Sequence, residues 1–272
     1  MNDMQSIIQS ALRVRASEVG RINRSDVLVV SGPMTNDLPR IVRDLIEKSE
    51  VSANKLSIVL KTLGGSIDAV ERIVSIIRKH YMYVDFIIPD MAMSAGTVFA
   101  LSGDNIYMDY YSVLGPIDPQ FEEEGVWVPA LAYLEKYEEL DKKAAKNNLT
   151  PLEAHLANQI SLIKLHIYEQ ARDHSIELLQ TWLTKYKFKD WDKTDEEKIE
   201  KAKDIAEKLN KTTRWHAHSR GISMETLVNE LGLKINDLNA NTELKVSASH
   251  IDEFLLDMNY NIVAFTPRSP EE

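Results

Sequence analysis

Cysteine is absent from the 272 residues, which excludes disulfides, thiolate nucleophiles and cysteine-ligated metals. That absence suits a reducing cytosol without requiring one. No window approaches the apolar length needed to cross a bilayer. The opening stretch "MNDMQSIIQSALRVRASEVG" lacks the basic start and unbroken apolar segment of a signal peptide. The expected location is therefore cytoplasmic. Basic residues are outnumbered, 32 against 42 acids, for a formal charge of -10. This balance argues against a nucleic-acid partner, because phosphate binding draws on clustered Lys and Arg. There is no Gly-rich phosphate loop, so ATP hydrolysis by this chain is not expected. No His-x-x-x-His or Glu-rich spacing falls on one element, so neither a metal nor another cofactor is expected. Internal repeats and low-complexity linkers are also missing.

What the chain does have is alternation. "DVLVVSG", "KLSIVLKTLGG" and "VDFIIPD" read as buried strands, and "NIYMD" as a fourth. Between them, "DLPRIVRDLIEKS", with Ile41, Leu45 and Ile46 at helical spacing, "SIDAVERIVSIIRKHY" and "SAGTVFALSGD" read as helices. Strand and helix in turn predict right-handed crossovers and a mostly parallel sheet covered on both faces. The length suits one large α/β domain with an appendage. Residues 1–25 are expected to form an N-terminal amphipathic helix, with Met4, Ile7, Ile8, Ala11 and Leu12 on its apolar stripe, docked on its own domain or on a sister subunit. Residues 26–126 are expected to form the α/β core, 127–210 a charged helical arm or insertion, and 211–272 a C-terminal part that completes the core. Within the arm, "TDEEKIEKAKDIAEKLNK" reads as mostly a solvated charged face. Near the end, "GISMETLVNELGL" reads as a helix capped by Ser223, with Thr226 in its first turn and Gly232 as its stop.

Ligands of an open α/β sheet bind at the carboxyl ends of the strands, and two turns are expected there, "TLGGS" and "PDMAMSAG". Gly64 and Gly65 can present backbone amides without a side chain in the way. Ser94 stands where a strand hands over to a helix, with the Ala95 amide beside it. Taken singly, a glycine pair is a tight turn and a serine before Ala-Gly is a helix cap. At one sheet edge together, they point to acyl transfer.

"LKTLGGSIDAVERI", "IIPDMAMSAGTVFALSGDNIYMD" and "SVLGPIDPQF" resemble the signature blocks of the serine dehydrogenase proteinase family, a relative of signal peptide peptidase A and of the ClpP proteases. The resemblance is strongest over residues 56–121, fainter at "RWHAHSRGISMETLVNELGL" and weak in the helical middle. It implies a ClpP/crotonase-like fold, Ser94 as nucleophile, and the amides of Gly64 or Gly65 and of Ala95 as the oxyanion hole. It also implies a homo-oligomer acting on peptide or protein substrates.

A serine hydroxyl requires a base in hydrogen-bond reach. Laid on the family pattern, the position that holds the ClpP histidine is Asp118. Three solutions follow. Lys136 lies at about the spacing of serine-lysine relatives, with Lys142, Lys143 and Lys146 as competitors, although the neighbouring acids favour charged amines. Alternatively His218, or less favourably His216, lies opposite Asp118 in a swapped arrangement that keeps the chemical roles. In the third, no base is present and the chain is a silent scaffold that binds a partner through its acidic arm. His80, His155, His166, His174 and His250 read as surface or packing residues. A crotonase-like acyl-transfer enzyme is a further alternative, since it shares the two turns without needing a serine.

Overall fold

The computed structural model describes residues 3–49, 53–123, 125–258 and 261–269. A helix α1 (Asp3–Asn23) leads into β1 (Asp26–Ser31), α2 (Leu38–Glu47), β2 (Lys55–Lys61), α3 (Ile67–His80) and β3 (Tyr83–Ile88). The two-residue β4 (Met91–Ala92), the short α4 (Ala95–Ala100), β5 (Asn105–Met108) and β6 (Val113–Leu114) follow. A hairpin of β7 (Gln120–Glu123) and β8 (Val126–Pro129) opens the helical region of α5 (Ala130–Ala145), α6 (Pro151–Ala157), α7 (Leu162–Trp182) and α8 (Asp195–Asn210). The chain ends through α9 (Thr212–Trp215), β9 (Ile222–Ser223), α10 (Met224–Asn229), β10 (Asn236–Asp237), α11 (Thr242–Met258) and β11 (Ile262–Thr266).

Six strands form the main sheet in the order β10-β5-β3-β2-β1-β11. All neighbouring pairs are parallel except β1 with β11. The period of two along a strand assigns its residues to opposite faces. Leu28 and Val30 of β1, with Leu56, Ile58 and Leu60 of β2, face the larger core under α2, α3 and α4. Val27, Val29, Val59 and Ile87 face a second core closed by α1 and α11. The strands read as nearly continuous apolar runs because both faces are covered. Each fully buried aliphatic chain contributes about 1.5–3 kcal/mol of transfer free energy.

The N-terminal stripe docks on its own domain: Ile8 and Leu12 are buried beside Leu244, Ile251 and Leu255, while Ile7 is exposed. The Met4 side chain lies outside the described residues. The helical region departs from a solvated arm in its second half. Ala202, Ile205, Ala206 and Leu209 of α8 form a stripe at helical spacing inside the main core, together with Leu179 and Trp182 of α7. The stripe is hard to read in sequence because two of its four members are alanines surrounded by charge. At the C-terminal end, Ser223 caps α10 by accepting the Thr226 amide, and Gly232 takes a φ of 69° after it.

Candidate active site

Ser94 sits between β4 and α4 with φ 53° and ψ -122°, a conformation that costs a non-glycine residue on the order of 1–3 kcal/mol and recurs at functional turns. Its hydroxyl accepts no hydrogen bond from the helix amides, so the side chain is not a cap. The small neighbours serve packing directly. A Cβ on Gly96 would fall 2.2 Å from Thr62 Cγ2, so only glycine lets α4 approach the end of β2 this closely.

The two turns are stitched together through Thr62. Its amide donates to the Met91 carbonyl at 3.0 Å and its carbonyl accepts the Met93 amide at 2.9 Å. The glycine pair then turns sharply, with φ of 107° at Gly64 and 142° at Gly65. Both positions exclude a side chain. A Cβ on Gly64 would stand 2.7 Å from Ser94 Cβ, and one on Gly65 would stand 2.6 Å from the Met34 carbonyl oxygen. Met34 clamps the turn from outside, donating to the Gly64 carbonyl at 2.8 Å and accepting the Ser66 amide at 2.8 Å. Ser66 in turn caps α3.

The Gly64 amide, one of the expected oxyanion donors, donates to Thr62 Oγ1 at 3.0 Å. It is committed within its own turn and does not line the Ser94 cavity. Gly65 and Ala95 do line it, and among the described residues their amides have no acceptor.

Asp118 and His218 are brought together by the small sheet of β4, β6 and β9. In the antiparallel β6–β9 pair, Leu114 faces Ile222. Four residues on from Leu114 is Asp118 and four back from Ile222 is His218, so the register carried forward opposes them. The result is a contact of 2.9 Å between His218 Nδ1 and Asp118 Oδ1, with Asp118 buried and His218 partly exposed. The other carboxylate oxygen of Asp118 accepts the Gln120 side-chain amide at 2.7 Å. Supporting bonds fix each partner's segment. Thr97 Oγ1, fully buried, donates to the Ala92 carbonyl and accepts the Gly115 amide, both at 2.8 Å. Trp215 is buried and donates its indole N–H to the Lys208 carbonyl at 2.8 Å. His216 is exposed, with a φ of 66°, and does not line the cavity.

Ser94, Ala95, Gly65 and His218 all line one cavity of about 870 Å³. Its walls are largely apolar, with Leu63, Val98, Ile117, Phe121 and Trp127 among them. Phe121 and Trp127 come from the β7–β8 hairpin, which α7 secures: Glu123 accepts from Tyr168 at 2.5 Å and pairs with Lys164.

The lysines expected as rival bases lie elsewhere. Lys136 is half exposed, donates to Glu139 at 2.8 Å, and does not line the cavity. It stands two residues beyond the buried Leu134, about 200° round the helix, so it points away from the packed face. Lys142 and Lys146 are exposed, and Lys143 pairs with Glu139 and Glu153. Hydrogen bonds donated to those carboxylates push the Lys143 amine above its ordinary pKa, the opposite of what a base requires. His174, read in sequence as an ordinary surface or packing residue, lines the cavity, with Nε2 3.4 Å from Glu71 Oε2. No sequence motif marks it; its place depends on how α7 crosses α4.

Among the described residues, no helix is long and apolar enough to cross a membrane, and no group of three or more His, Cys, Asp or Glu could hold a metal ion.

Comparison with known proteins adds relatives to this geometry. Two uncharacterized proteins of Methanocaldococcus jannaschii are similar in sequence. One is 31% identical over 181 residues, covering 66% of this chain and 52% of the relative. The other is 40% identical over 65 residues, covering 24% of this chain and 23% of the relative. The chain thus spans about half the length, or less, of these relatives. Among solved structures, a mutant of the 1510-N membrane-bound stomatin-specific protease aligns with a TM-score of 0.47 at 15% identity, covering 80% of this chain and 82% of that one. A ClpP1 mutant from Listeria monocytogenes aligns with a TM-score of 0.46 at 12% identity, covering 83% and 98%. A family model described as ClpP-like SDH-type serine proteinase matches residues 34–248, well over half of the chain and inclusive of both turns, Asp118 and His218. On that match, the chain belongs to the ClpP-like SDH-type serine proteinases.

Proposed function

We propose that this protein is a serine peptidase that cleaves peptide bonds through an acyl-enzyme on Ser94. The observation that carries the reading is the 2.9 Å contact of His218 with the buried Asp118, made by a histidine that shares a cavity with the strained Ser94. With Asp118 accepting the Nδ1 proton, His218 Nε2 is left with the lone pair that a general base needs. In this mechanism Ser94 Oγ attacks the scissile carbonyl carbon and its proton passes to His218 Nε2. The carbonyl oxygen becomes an oxyanion held by the amides of Gly65 and Ala95. Collapse breaks the C–N bond, with His218 returning the proton to the leaving amine. Water, deprotonated by the same histidine, then releases Ser94.

The apolar walls of the cavity suit apolar side chains beside the scissile bond. We further propose a homo-oligomer, supported by the adjacent apolar side chains of Leu162 and Ile163, which stand 72% and 75% accessible at the start of α7. Light scattering should return a multiple of the 31.0 kDa chain mass; a monomer at micromolar concentration would overturn that part. For the activity itself, incubation with a mixed peptide library should yield cleavage products from the natural protein and none from Ser94→Ala. Equal cleavage by both would remove Ser94 from the reaction.

A further inference from the structure

We propose that the cavity beside Lys187, at the opposite end of the sheet from Ser94, binds a small planar anion of the aromatic carboxylate or aromatic phosphate class. Tyr83 opens β3 and Asn105 opens β5, and both line this cavity of about 320 Å³. It therefore lies at the amino ends of strands whose carboxyl ends carry the peptidase residues, and it shares no lining residue with the Ser94 cavity. Its volume falls at the lower end of the range for small-ligand sites, roughly 300–1,000 Å³.

Aromatic side chains and amines converge there. Tyr83, Tyr186 and Trp191 supply rings, and Trp191 is 40% exposed. Two of those rings already hold cations against one face: Arg78 lies 3.7 Å from the Tyr186 ring centre and Lys189 lies 4.2 Å from that of Tyr83. A surface of that kind accepts a flat ring whose negative group is drawn to the surrounding cations.

Two carboxylates line the cavity, Asp104 and the exposed Asp190, against the amines of Lys189, the partly buried Lys187 and the exposed Lys234. Asp104 is already saturated by Arg78 at 2.9 Å, by Lys189 and by the Val84 amide at 2.7 Å. Lys187 therefore obtains only a long contact of 3.5 Å to the Asp104 backbone carbonyl, and among the described residues neither it nor Lys234 forms an ion pair. Burial holds the Lys187 amine down to about 8, with Lys234 pushing the same way against the pull of Asp85 and Asp104. An anion between Lys187 and Lys234 would relieve their repulsion and restore the charge lost to burial. Lys187 also ends a π-helical turn, Leu183–Lys187, a rare geometry concentrated at functional sites.

Pyridoxal 5′-phosphate is a suitable probe, being a planar phosphate whose aldehyde condenses with an unprotonated amine. Water leaves as the C=N bond forms, and borohydride then adds hydride to the carbon and fixes the adduct. At pH 8 and low reagent concentration, peptide mapping should place a single saturable adduct on Lys187, protected by excess 4-hydroxybenzoate. Trp191→Ala, at a partly exposed position that does not threaten folding, should raise the half-saturating concentration roughly tenfold. Lys187→Met should abolish both the adduct and the calorimetric heat of 4-hydroxybenzoate binding. Adducts scattered over exposed lysines without protection, or no 4-hydroxybenzoate binding up to millimolar concentration, would overturn the proposal. None of these results depends on peptidase activity.

Discussion

Replacing His218 with alanine is expected to slow acylation of Ser94 roughly a thousandfold or more, with the fold unchanged. The effect should be large because the other candidate base is elsewhere: Lys136 is paired with Glu139 on an exposed helix face. Lys136→Ala should accordingly leave the acylation rate where it was. The effect should also be specific to chemistry, since His218 is partly exposed and its removal opens no core cavity. Stopped-flow acylation by an activated ester, together with denaturant unfolding of both variants, checks the two halves. A His218→Ala variant that acylates at the natural rate would place the base elsewhere.

Asp118→Asn should also slow acylation severely, on the order of ten-thousandfold, though no further than loss of the base itself. The substitution is nearly isosteric, so Gln120 and the buried loop should remain in place. The difference lies in the hydrogen on the imidazole. The carboxylate accepts the Nδ1 proton and leaves Nε2 basic, whereas an asparagine that turns its amide towards Nδ1 forces the proton onto Nε2. His218 would then face Ser94 with a donor in place of a lone pair. In the proposed mechanism Asp118 also stabilises the imidazolium formed when the serine proton is taken, which a neutral amide would not do. The measurement is the acylation rate over pH 6 to 9: a rate close to that of the natural protein throughout would show that Asp118 does not orient the base.

The parts of this arrangement that were legible in the sequence are those fixed by local rules. β1, β2, β3 and β5 fall close to their expected stretches because buried parallel strands are continuous apolar runs. The cap at Ser223 and the stop at Gly232 were readable for the same reason, since each depends on a few adjacent residues. Two turns rich in small residues pointed to Ser94 because strand ends are where open sheets bind ligands. The remaining features depend on contacts between distant segments. β11 pairs antiparallel with β1 across more than 200 residues, and its five residues resemble any short apolar run. The hairpin of β7 and β8 carries two glutamates on its first strand and was hidden by the acidic composition around it. The stripe on α8 was obscured by its alanines.

The site follows the same division. Ser94 and the glycine pair could be found locally, whereas the engagement of the Gly64 amide by Thr62 Oγ1 could not. The resemblance drew attention to Asp118 and His218, which are 100 residues apart. Their alignment depends on a two-residue pairing between β6 and β9 that no periodicity announces. The place of His174 in the cavity had no local signal of any kind. The sequence already favoured a solvated helix lysine at Lys136 and left His218 evenly balanced; in the structure Lys136 pairs with Glu139 on an exposed face, while His218 meets Asp118 and lines the Ser94 cavity.

The central claim is that Ser94 is an activated nucleophile, and its most direct measurement is the site of reaction with a fluorophosphonate. Intact-mass analysis and peptide mapping should show one phosphonyl group per chain, on the peptide containing Ser94. Ser94→Ala should remain unmodified, and Asp118→Asn should react far more slowly. No adduct at high reagent concentration, or an adduct on another residue in the natural protein, would contradict the account.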